Sequence, residues 1–315
     1  VVYGVSTQNG GQIVAINSSG VCVEVIGFNK TKIAMPALLE IREIDNEEIL
    51  FVGGRTHEGG SKKGKLYVKN LTTGAQKRCS LNNGQYFGSS LAGNKALSMT
   101  ISNNGDYIYL SRGQKLFGFE LSKDGNNLYC PTDGNWDYYI NTANNRVESP
   151  SVQNSYTDDI KDIYSIKYSR DVNNKIYTTS KNSHVLQRIS VNHTNFTASL
   201  DITIGKNGTG SVFDNQDPGA VSAANVEFNI PGRASSSGFA NNLFTSSSRV
   251  LVGDRNSFIH KFDVNKLTDA DKDTAWRARY GGAKVSKFEG AKDAIEAIVF
   301  LLYTSPSPRD RRLSR

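Results

Sequence analysis

Five stretches of this chain repeat one pattern: a short apolar run, a polar tip and a second apolar run. The clearest copy is Tyr107 to Gly125, YIYLSRGQKLFGFELSKDG. Tyr107 and Tyr109 precede a tight turn at Arg112-Gly113; Leu116, Phe117 and Phe119 follow it, and a second turn closes at Asp124-Gly125. Aromatic and β-branched residues on either side of a Gly-containing tip predict a half-buried β-hairpin. The same shape recurs over Val1–Gly20, Ile49–Gly74, Lys175–His193 and Arg249–Lys266. A lone two-stranded hairpin is marginal in water, so the copies must bury their faces against one another.

Material for more strands flanks the copies: Val21–Ile26 after the first, Ala96–Ser102 before the third, Asp162–Ser169 before the fourth and Ala275–Tyr280 after the fifth. Four strands per unit is what a propeller blade needs. Taking Val2, Leu50, Ile108, Ile176 and Val250 as equivalent anchors, the separations are 48, 58, 68 and 74 residues. A solenoid with a fixed coil does not drift in this way, whereas blades joined by variable connections do. The expected fold class is therefore all-β: a β-propeller of four-stranded antiparallel blades, about five of them. Ala294–Phe300 reads as the first strand of a sixth blade, so residues 1–300 are assigned to a propeller truncated at both ends.

The pattern resembles the degenerate β-propellers of the YVTN, NHL and lactonase-like group. Lys65-Leu-Tyr-Val-Lys-Asn-Leu-Thr-Thr-Gly74 is the segment most similar to their signature of a strand, an acidic residue or Asn, and a Thr-Gly turn. The related quinoprotein blade carries a Trp soon after that turn, but here Ala75-Gln-Lys-Arg78 follows. The resemblance implies a fold and transfers no catalytic set, because unrelated functions share this architecture.

The last stretch, Leu301–Arg315, resembles a translated sequencing adapter and is assigned as a non-native or disordered tail. It holds four Arg and one Asp, so without it the net charge falls from +7 to +4. No dense Lys/Arg stripe with interleaved aromatics exists; the one basic cluster, Ser61-Lys-Lys-Gly-Lys65, lies at a hairpin tip, and nucleic acid is not an expected partner. No apolar run has the length of a membrane helix. Cys22, Cys79 and Cys130 match no zinc or redox spacing. They read as buried thiols, with one disulfide open to an exported chain.

In a propeller, the loop between the second and third strands of a blade and the crossover to the next blade open on one face. Loops on a rigid scaffold carry function. The enlarged tip Arg55–Gly64 and the long crossover Cys130–Asp162 should share that face. Arg55, His57 and Glu58 at the tip form the acid/base candidate. Trp136, Asp137, Tyr138 and Tyr139 set flat aromatics beside a carboxylate, which suits a sugar ring or planar ligand; they read equally as local core. Asp158, Asp159, Asp162, Asp214, Asp217, Asp293 and Glu296 are expected near the channel mouth and are the candidate oxygen donors for Ca²⁺, the candidate cofactor. As plain surface acids they would bind nothing.

Two functional classes follow. The first is an extracellular or periplasmic propeller, exported or part of a surface protein, that binds a carbohydrate, small molecule or protein on the loop face. The second is a propeller hydrolase of the lactonase or phosphoesterase kind with a channel-bound calcium.

Overall fold

The computed structural model of the protein describes residues 2–6, 12–17, 19, 21–27, 35–55, 64–79, 98–111, 115–132, 138–141, 146–147, 160, 163–180, 183–194, 197–206, 222–228, 230, 242–254, 258–268, 271 and 274–281. Its strands form five antiparallel sheets. The first holds β1 (Val2–Ser6), β2 (Gln12–Ile16) and β3 (Cys22–Gly27). The second holds β4 (Met35–Ile44), β5 (Glu47–Arg55), β6 (Gly64–Asn70) and β7 (Gln76–Cys79). The third holds β8 (Ser98–Ile101), β9 (Tyr107–Ser111), β10 (Lys115–Lys123), β11 (Tyr129–Pro131), β12 (Tyr138–Asn141) and β13 (Arg146–Val147). The fourth runs β14 (Ser165–Tyr168), β15 (Lys175–Ser180), β16 (Val185–Asn192) and β17 (Thr197–Ile204); the fifth runs β18 (Leu243–Thr245), β19 (Arg249–Gly253), β20 (Phe258–Asp263) and β21 (Trp276–Gly281).

Four of the predicted hairpins, β5–β6, β9–β10, β15–β16 and β19–β20, are the second and third strands of their sheets, and the remaining one, β1–β2, forms the first two strands of the three-stranded sheet. The sheets are the blades of a β-propeller. Their first strands pack side by side, β4 on β8, β8 on β14 and β14 on β18, and so stand innermost around the axis.

The alternation of side chains along each strand divides the core into slabs between blades. Leu50, Val52 and Tyr67 of the second blade meet Ile13 of the first. The opposite face of the second blade, with Ile49, Phe51, Leu66 and Val68, meets Ile108, Leu110, Phe117 and Phe119 of the third. Tyr109 and Leu116 face Ile166, Tyr168, Ile176 and Ile189 of the fourth. Tyr177, Leu186, Ile202 and Ile204 close against Val250, Val252, Phe262 and Trp276 of the fifth. The second, third and fourth blades are apolar on both faces, so each depends on two neighbours.

An innermost strand presents a free backbone edge, and small hydroxyls on the neighbouring blades bond to it. The Tyr168 amide donates to Thr100 Oγ1 at 2.9 Å, and the Ile166 amide to Ser98 Oγ at 3.2 Å. Thr245 Oγ1 donates to the Tyr168 carbonyl at 2.9 Å, and Ser111 Oγ to the Tyr164 carbonyl at 2.7 Å. At the rim, Cys79 of β7 is disulfide-bonded to Cys130 of β11, with Cα atoms 5.4 Å apart. Cys22 is free and exposed, which corrects the reading of all three as buried thiols.

The third blade departs from the expected pattern. β11 pairs with Leu121–Lys123 of β10, and β12 with Lys115–Gly118 of the same strand. Together they are one outer strand in two halves, so the crossover does not begin at Cys130 as expected. Pairing with Leu121–Lys123 makes the buried Tyr129-Cys130-Pro131 a strand that the interrupted sequence pattern concealed.

Candidate functional site

Most of the residues singled out from the sequence lie outside the described residues: His57, Glu58, Trp136, Asp137, Asp158, Asp159, Asp162, Asp214, Asp217, Asp293 and Glu296. The backbone of Arg55 ends β5, opposite Met35 and Gly64. Tyr138 and Tyr139 belong to β12, where they pair with Gly118 and Phe117. They therefore stand on a strand paired with β10 and not in a loop. Among the described residues no group of three or more His, Cys, Asp or Glu side chains is placed to hold a metal ion.

The structure instead brings together a charged cluster at the axis. β4 carries Glu40 and Arg42 side by side on its buried parity, between Leu38 and Ile44. Both are almost wholly enclosed, at 5% and 1% exposure. Arg42 Nη2 donates to Glu40 Oε1 at 3.1 Å and to Thr100 Oγ1 at 3.3 Å. Its Nη1 donates to Asn103 Oδ1 at 3.1 Å. Lys167, from the innermost strand of the fourth blade, pairs with Glu40 Oε2. Arg170, two residues beyond β14, donates to the Ile41 carbonyl at 3.5 Å. Three blades thus meet on one carboxylate.

The electrostatics follow from this crowding. Burial by itself would raise the Glu40 carboxyl, but Lys167 and then Arg42 outweigh it and hold it below its ordinary value. Burial, and after it the neighbouring Arg170 charge, pushes the Arg42 guanidinium down to about 9. Arg42 Nε is buried without a hydrogen-bond partner among the described residues. A guanidinium that is buried and incompletely paired is costly, because its charge cannot be shed as readily as that of a lysine.

The cluster opens at one end of the channel. There the two-residue turn Asp45-Asn46, with φ of 53° and 62°, joins β4 to β5. Positive φ at both central residues is the geometry of a twisted two-residue hairpin, and Asp and Asn tolerate it. The corresponding turn of the third blade needs Gly105 at φ 80°, where a Cβ would come within 2.8 Å of the Ile44 side chain. A recess of about 390 Å³ lies here, lined by Arg42, Glu43, Asp45, Asn46, Asn103 and Arg170. Strand direction puts this end opposite the Arg55–Gly64 tip, and so opposite the face expected to bind.

A second open cleft, about 580 Å³, lies on the same end of the fourth blade beside Lys175, Ser190 and His193. His193 stacks on Tyr107, with ring centroids 3.7 Å apart, and its Nε2 is 3.0 Å from Tyr109 Oη. Burial lowers its pKa. Fixed between two tyrosines, this ring ties the third and fourth blades together.

Sequence reasoning passed over the axial cluster because the second copy was read from its hairpin onward, without the strand before it. The available signal was the pair Glu40 and Arg42 at alternate positions between Leu38 and Ile44. Two charges on the buried parity of a strand demand partners.

No protein-family model matches the chain. No curated protein matches it. Solved structures do. A functionally unknown protein from Desulfotomaculum acetoxidans is 11% identical, with 88% of each chain covered and a TM-score of 0.44. An auxiliary nutrient binding protein from Bacteroides ovatus is 11% identical over 89% of this chain and 54% of its own, with a TM-score of 0.49. A candidate 6-phosphogluconolactonase from Bacteroides uniformis is 16% identical over 86% of this chain and 66% of its own, with a TM-score of 0.44. The propeller architecture rests on the strand pairings above and not on these likenesses.

Proposed function

We propose that the chain is the binding propeller of an exported or cell-surface protein and takes its ligand at a channel mouth. The observation that carries this reading is the axial cluster of Glu40, Arg42, Thr100 and Lys167. Side chains from three blades hold polar groups at the axis in fixed positions, so a ligand there would be met by groups already ordered. Its ligand class is a small molecule, a carbohydrate or an exposed protein segment. The Cys79–Cys130 bond supports export, since disulfides persist in oxidising compartments.

Two measurements test the reading. Thiol titration of protein purified without reductant should find one reactive thiol, Cys22, and three after reduction and unfolding. A thermal-shift array of metabolites, glycans and peptides should find a ligand class that raises the melting temperature. Turnover of lactone or phosphoester substrates, with no ligand that binds unchanged, would replace this reading by a hydrolase.

A further inference from the structure

Among the described residues, the axial cluster holds more positive charge than it neutralises. Among the described residues Glu40 is the one carboxylate paired within it, and Arg42 and Lys167 share that carboxylate. Arg170 adds a third cation, and its bond to the Ile41 carbonyl neutralises nothing. The two other acids on the recess do not balance this excess. Asp45 is engaged by Lys123 Nζ at 2.8 Å and by Tyr129 Oη at 3.3 Å. Glu43 is exposed on the rim and lies across the strand pair from Glu48, another acid.

We infer that the recess between Arg42 and Arg170 is a binding site for a small-molecule oxyanion, a carboxylate or phosphate group, at this end of the channel. The inference rests on the binding-propeller reading and names the chemistry of the ligand. Two guanidiniums border the recess, with the carboxamides of Asn46 and Asn103 beside them. Planar N–H forks and amide N–H groups are the donors that recognise carboxylate and phosphate oxygens. Arg42 is pinned by Glu40, Thr100 and Asn103, so its fork is already oriented. Its buried Nε, without a partner among the described residues, and the adjacent Arg170 charge leave the guanidinium short of negative partners there, which an incoming anion would supply. The recess has the volume of a small-molecule pocket. Glu43 on the rim disfavours polyanions, so an anion of low charge fits and a nucleic-acid backbone does not.

The test uses the intact chain, with inorganic phosphate and acetate as separate probes, read by calorimetry and thermal melts. Arg170→Gln is the informative variant, because Arg170 is only half-buried and the change removes a like charge beside Arg42. Lys77→Gln removes the same charge from the exposed outer strand β7 and serves as the control. The wild type should bind at least one of the two anions and melt higher in its presence. Arg170→Gln should weaken that binding about tenfold or more, while its melting temperature without anion stays level or rises. A merely structural arginine would lower it. Lys77→Gln should bind as the wild type does. The inference is overturned if neither anion binds, or if Lys77→Gln loses as much affinity as Arg170→Gln. If an array ligand binds and Arg170→Gln leaves its affinity unmoved, the oxyanion site fails while the binding-propeller reading stands. If phosphate or acetate binds through Arg170 but no array compound does, the site stands and the wider reading fails.

Discussion

Two charged networks in this molecule have the same composition and different consequences. At the axis, Glu40 is shared by Arg42 and Lys167. On the fourth blade, Asp201 is shared by Arg188 at 3.2 Å and Lys175 at 2.6 Å. The Glu40 side chain is 6% exposed and that of Asp201 is 15%. The larger difference is in reach. Arg188, Lys175 and Asp201 lie on β16, β15 and β17 of one sheet, with Arg188 and Asp201 only 13 residues apart in sequence. Glu40 and Lys167 are separated by 127 residues and belong to different blades. The Asp201 network is a cross-strand pair that steadies a sheet already formed. The Glu40 network exists only when blades have assembled, and among the described residues it leaves a cation in excess beside the recess. Equal chemistry therefore serves local stability in one place and a candidate site in the other.

The comparison breaks most readily at Glu40. Glu40→Ala leaves Arg42 and Lys167 buried or half-buried without their carboxylate, and should cost about 3–5 kcal/mol in chemical denaturation. A loss of less than about 1 kcal/mol would show that water reaches the cluster and that the two networks are alike. At the rim, reduction or Cys79→Ser with Cys130→Ser removes a tie across 51 residues, and should cost about 2–5 kcal/mol. Melting with and without reductant measures it; no change would place the mechanical closure of the second and third blades entirely in their apolar slab.

Double-mutant cycles sharpen the contrast. Coupling between Glu40 and Lys167 should exceed that between Asp201 and Lys175, which is expected at about 1 kcal/mol because this pair is the more exposed of the two. Equal couplings would remove burial as the deciding variable.

The smallest effect is in acid. The Glu40 carboxyl is held below its ordinary value of 4.5, where burial opposes the shift and Lys167 then Arg42 impose it. Its depressed folded pKa means that the stabilisation is complete above about pH 4.5 and is lost as pH falls through the folded value. Asp201 is likewise lowered, with burial opposing and Lys175 and Ser190 imposing the shift, and contributes in the same direction. Wild-type protein should therefore lose stability on acidification below pH 4.5, and Glu40→Gln should lose less over the same interval. Parallel curves for the two proteins would mean that Glu40 is already protonated in the fold.

The hairpins were legible in the sequence because they are local. Tyr107 through Phe119 contains its own alternation and its own turn, and the predicted flanking strands match β3, β8, β14 and β21. Repetition then dictated stacking, since no copy can bury two apolar faces alone. Other features depended on distance in space. The outer strand of the third blade is split between β11 and β12, and only the register against β10 reveals that Cys130 and Tyr139 belong to one edge. The Cys79–Cys130 pairing required neighbouring blades to bring their outer strands together. The axial cluster required three blades at once: Glu40 and Arg42 announce two buried charges on β4, but Thr100, Lys167 and Arg170 are supplied by chain 58 to 130 residues later. The sequence alone determined which segments pair within a blade, because that pairing follows from period-two patterning over about ten residues. Tertiary structure decided which charges meet at the axis, because that depends on the angular order of blades and on how far each innermost side chain reaches.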